Sequence, residues 1–182
     1  MNSILERFPE RLAVLPVYAV IAVPIFGWTL VSWLWKLPSW LNFLTAGEIG
    51  AVFFYAMLAA FVESLLVLGL VLFLCFFLPP RVLRDQFVVC GTWLAIGLML
   101  AVLGHGVWRG LTRFTYIEVS LLLWSAAGLA ISAFLAVLST RVRFMARAAE
   151  WLSDRLTVFL YILVPLSVLA ILVVFVRNAF PG

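Results

Sequence analysis

Glu63 is the single acidic or basic residue in a thirty-residue apolar stretch, Ile49 to Leu78. A carboxylate near a bilayer centre costs about 2.5–3.5 kcal/mol on insertion scales. No lysine or arginine lies deep in any apolar stretch of the chain to offset that cost. Ala60, Ala59 and Ala56 sit one and two turns before it, so another helix can approach closely on that side. Three readings follow. The carboxyl binds a proton or ligand, facing the bundle interior or a subunit interface. Alternatively it is a neutral acid hydrogen-bonded to a neighbouring helix as packing glue. Or, if only Ala59 to Leu78 is buried, it lies about one turn below the membrane surface.

Glu118, Ser125, Ser132 and Ser139 recur at intervals of seven and fall on one stripe of a helix, drifting about 20° per heptad. Such a stripe turns inward in lipid, where small hydroxyl residues let helices meet. It lines a polar pathway with Ser125 and Ser132 at its middle, or it is a packing seam whose hydroxyls return to the backbone a turn back. His105, the only histidine, has Gly104 and Gly106 on either side and Arg109 and Arg113 just beyond. In an antiparallel hairpin it is expected level with Glu118. The four residues then form a polar site on the outer side for an anionic headgroup or a proton relay, or a local hydrogen bond that closes the hairpin.

Cys75 and Cys90 lie inside apolar segments and read as packed thiols. Two thiols with no nearby histidine do not complete a zinc site, so no metal is expected, and nothing calls for a cofactor. Catalysis finds little support. There is no Gly-x-Ser-x-Gly elbow, no His-Glu-x-x-His pair and no phosphate-binding glycine loop. Asp85 and Asp154 both fall in loops, so an intramembrane aspartate pair is absent.

The elements that must carry these residues follow from composition. Of 182 residues 66% are hydrophobic and 11% charged, far fewer charges than soluble domains carry. The expected fold is an all-α integral membrane protein, a single transmembrane domain over 1–182. Its five-helix bundle has spans at about 12–35, 49–78, 87–108, 116–138 and 156–176. Pro16 and Pro24 should bend the first span, and Pro79-Pro80 stops the second. Two short interfacial helices are expected at about 38–46 and 142–153, the second with Phe144, Ala148, Trp151 and Leu152 on its membrane face. Trp28, Trp33, Trp35 and Trp40 mark one membrane boundary.

Five spans put the termini on opposite sides. One side carries Arg7, Arg11, Arg81, Arg84, Arg141, Arg143, Arg147 and Arg155, and the other Lys36, Arg109, Arg113 and Arg177. Eight against four places the N-terminus in the cytoplasm and the C-terminus outside, in a plasma membrane of the bacterial inner-membrane kind. The net charge of +4 is topology signal, and no nucleic-acid partner is expected. Tiny loops, no reaction motif and small-residue ridges at Gly91/Ala95 and Gly97/Ala101 favour a non-enzymatic subunit. It would assemble in the bilayer with copies of itself or with other membrane subunits. A small proton- or ion-coupled carrier or channel using Glu63 is the alternative, and a lipid-modifying enzyme using His105 with Glu118 is a third reading.

Overall fold

In lipid, every backbone donor and acceptor has to be paired within the segment, and apolar runs of this length meet that demand as helices. The computed structural model describes residues 11–77, 86–112 and 117–179. Among the described residues there are six helices and no strand: α1 (Arg11–Trp40), α2 (Ala46–Phe77), α3 (Phe87–Thr112), α4 (Ile117–Ser139), α5 (Arg143–Thr157) and α6 (Leu160–Ala179). Five of them are long and apolar enough to cross a membrane; α5, rich in charge, is the exception.

Of the two short elements expected at the surface, the first differs from expectation. No separate helix covers 38–46: α1 runs unbroken through Pro16, Pro24 and Pro38 to Trp40. Pro38 frees one carbonyl in an exposed last turn, where water or a headgroup can pair with it. The chain then turns through Phe43 N–H and Leu44 N–H, both bonded to the Trp40 carbonyl at 3.0 and 2.8 Å. Thr45 starts α2 with a capping box. Its N–H and hydroxyl both donate to Glu48 Oε2 at 2.8 Å, and Glu48 N–H returns a bond to Thr45 Oγ1 at 3.4 Å.

The helix expected at 142–153 is present as α5, running from Arg143 to Thr157. Ala149 and Ser153 are buried against the bundle, whereas Phe144 and Trp151 are 74% and 62% exposed. Arg155 lies 5.7 Å over the Trp151 ring. Trp93 of α3 ties down the start of α5 by donating Nε1–H to the Met145 carbonyl at 3.0 Å. A two-residue turn at Val158 and Phe159 then redirects the chain into α6.

The bundle is built around α1. Residues 17–22 are buried on every side of that helix, and both apolar cores meet there. Val17, Val20 and Ile21 pack with Val71, Phe87, Cys90 and Leu94, while Tyr18, Ala19, Ala22 and Phe26 pack with Met57, Ala60, Leu160 and Ala170. α2 packs on α1, α6 on α2, and α5 on α1 and α3; α4 rests almost wholly on α3. The contact between α1 and α3 is confined to the end where α1 begins. The α1 face buried at Val17 and Ile21 is exposed a few turns on at Trp28 and Trp35, as is the α3 face buried at Gly91 and Ala95 when it reaches Val102.

Candidate functional site

The depth of Glu63 is set by two hydrogen bonds across α2. Tyr55 donates its hydroxyl to Asn178 Oδ1 at 2.7 Å, which levels Tyr55 with the end of α6. The twenty residues of α6 make a rod of about 30 Å, the thickness of a hydrocarbon core. Glu63 lies two turns further along α2, about 12 Å inside that boundary. From the other direction, Tyr18 and Ser64 Oγ are 3.1 Å apart. Tyr18 is two turns into α1, about 10 Å from the start of the helix. The two rulers bracket Glu63 about 12 Å from the end of α6 and about 10 Å from the start of α1, and it is the eighteenth of the 32 residues of α2.

Ser64 is fully buried, and its hydroxyl donates to the Phe61 carbonyl at 2.7 Å, so Tyr18 donates to Ser64. Glu63 is the next residue and points elsewhere. It is exposed on the surface of the protomer, and among the described residues it has no hydrogen-bond or ion-pair partner. The reading that turned it into the bundle interior is therefore corrected. A 100° step per residue sends Ser64 with Ala60 to the core and leaves Glu63 beside Ala59, Leu66 and Leu70, all of them exposed.

The serine stripe of α4 is a seam for two of its members. Ser132 and Ser139 are buried against α3, but Ser125 is exposed. Each hydroxyl returns to its own helix: Ser125 to the Leu122 carbonyl at 2.9 Å, Ser132 to Gly128 at 2.6 Å, and Ser139 to Ala136 at 2.7 Å. The helices meet backbone to backbone here. A methyl added at Gly97 would sit 2.7 Å from Ser132 Cα, and one added at Gly128 would sit 2.5 Å from Ala101 Cβ. The serines do not continue a route from Glu63, because α4 packs on α3 and shares no extensive contact with α2.

The hairpin register also separates His105 from Glu118. Gly97 faces Ser132 and Ala101 faces Gly128, so the His105 level belongs to Trp124, whose ring centroid is 6.1 Å from the imidazole. Trp108 adds a third ring, 6.0 Å from Trp124. Glu118 is six residues beyond that level, about 9 Å along the helix. His105 thus joins an aromatic cluster with Trp124 and Trp108, with Gly104 giving Trp124 room against α3. Arg113 lies outside the described residues, and of Arg109, Glu118 and Cys75 only the helix positions are described. Cys90 is buried and has its Sγ 3.7 Å from the Ala136 carbonyl. Among the described residues no three histidine, cysteine, aspartate or glutamate side chains gather as a metal site.

No family model, curated protein or solved structure matches the chain. Its own geometry carries the functional argument. Sequence reasoning missed the Tyr18–Ser64 link, which has no local signal because the partners are 46 residues apart. It also missed the Thr45–Glu48 box, whose Thr-x-x-Glu spacing before an apolar run was a usable sign.

Proposed function

We propose that this protein is a non-enzymatic membrane subunit that works by helix–helix assembly with a protein neighbour on the Glu63 side of α2. The observation that carries the reading is the exposed carboxyl, unpartnered among the described residues, midway along a helix long enough to span. A lone protomer would present that group to acyl chains, at about 2.5–3.5 kcal/mol for the ion. A neighbouring helix removes the cost by offering a hydrogen bond, and exposed Ala59 one turn away lets it come close.

The host is a plasma membrane of the bacterial inner-membrane kind, with the N-terminus cytoplasmic, on the strength of the eight-to-four arginine and lysine bias. In that orientation α5 lies along the cytoplasmic interface, with its small face against the bundle and Phe144, Trp151 and its arginines at headgroup level. The test is native mass spectrometry of the full chain released from nanodiscs. An assembly of defined stoichiometry is expected; a bare monomer with no protein bound would sink the reading. Vesicle flux that Glu63→Gln abolishes would move the protein to the carrier class.

A further inference from the structure

The assembly reading leaves the neighbour unspecified, and the chemistry of the exposed face narrows it. Two copies inserted in the same sense are related by an axis along the membrane normal, so a residue beside the axis meets its own equivalent at the same depth. Glu63 can be satisfied in that arrangement. A carboxylic acid that holds its proton is one donor and one acceptor, and two of them close a reciprocal pair of hydrogen bonds. No other group offered by a second copy fits as well. The one lysine and the arginines of the chain stand at or beyond the ends of the spans. The exposed Ser125 hydroxyl is already bonded to Leu122, and Ser125 sits near the level of His105, about 27 Å from the start of α3.

The surroundings of Glu63 suit a near-parallel helix pair. Ala59 and Glu63 are exposed on successive turns of α2, and Leu66 and Leu70, 69% and 41% exposed, continue the same edge. The small residue allows close approach on one side of the carboxyl, and the two leucines fill the interface on the other. The packed face of α2, with Met57, Ala60, Ser64 and Val71, is untouched by this contact.

We propose that the edge of α2 formed by Ala59, Glu63, Leu66 and Leu70 docks a second copy of this chain across a two-fold axis, with the two Glu63 carboxyls hydrogen-bonded to each other. The proposal rests on the assembly reading above and specifies its partner.

The experiment uses the full chain, reconstituted in lipid, with Cys75 and Cys90 changed to alanine and single cysteines introduced along α2. Oxidative cross-linking between copies is expected at positions 59, 66 and 70 and not at 58, 65 or 69, which lie about 100° round the helix. Glu63→Gln keeps a donor and an acceptor and holds the dimer. Glu63→Lys alone weakens self-association at least tenfold, and mixing it with differently tagged wild-type chain restores a mixed dimer. Helix content by circular dichroism is unchanged in both variants, because the side chain lies outside the core.

Cross-links confined to 58, 65 and 69 would overturn the docking edge. A monomer of this chain cross-linked at 59 and 66 to a different protein would overturn the second-copy proposal while leaving the assembly reading standing. A monomer that cross-links to nothing would remove both.

Discussion

The α3–α4 seam and the open edge of α2 are built from the same materials and finished differently. Each sets small residues beside a polar side chain deep in a helix. In the seam, Gly97, Ala101, Gly128 and Ser132 interlock, and the hydroxyl is satisfied by its own backbone one turn back. On α2, Ala59 and Glu63 lie exposed, and no carbonyl within their helix accepts from the carboxyl. A serine carries its own solution through the membrane. A glutamate needs a partner, and the protomer supplies none among its described residues. The seam is thus a finished contact and the α2 edge an unfinished one.

The strongest way to break the contrast is to spoil the finished side. Gly97→Leu drives a side chain into the Ser132 backbone and should destabilise the chain by about 2–3 kcal/mol. The hairpin would splay, because α4 has little other support. Unfolding in mixed micelles of rising SDS fraction measures this, and a loss within error would show that the seam is not tight. Glu63→Leu addresses the other side and should act in reverse. The protomer's own unfolding midpoint stays within about 0.5 kcal/mol, as for exposed substitutions generally. Self-association in nanodiscs falls at least tenfold, about 1.4 kcal/mol. If the protomer itself unfolds early, Glu63 has a partner inside the chain.

The spans were legible because length and hydropathy alone decide them, and the self-bonded serines were legible from their chemistry. Three things were not. The stretch from Ile49 to Leu78 is the longest and greasiest, yet α1 is central, because only α1 buries residues 17–22 on all sides. In a water-soluble bundle an apolar stripe distinguishes inside from outside; here both faces of α2 are apolar, and that signal vanishes. Glu63 therefore had no readable direction. Ala60 and Ala59 looked like one ridge, but the helix puts the first in the core and the second on the surface. The level of His105 failed for another reason. The turn was centred by counting residues, whereas the true register is set by where glycine allows two backbones to touch.

Smaller effects sharpen the same comparison. Tyr18→Phe deletes the donor to Ser64 while leaving Ser64 bonded to Phe61, and should cost about 0.5–1 kcal/mol, the usual worth of an interhelical hydrogen bond in a bilayer. Melting of the protomer at fixed detergent reads it, and no change would mean that the pair is geometric only. Ser125→Ala and Ser132→Ala should each fall within about 0.5 kcal/mol, since each removes a hydroxyl that only repeats a backbone bond. Volume separates the two sites. Ser132→Val adds bulk where a methyl on Gly97 already has no space and should cost about 2 kcal/mol. Ser125→Val changes little, because Ser125 faces outward. Equal penalties for the two valines in the same SDS titration would mean that Ser125 is covered in the assembled protein, extending the unfinished surface from α2 to α4.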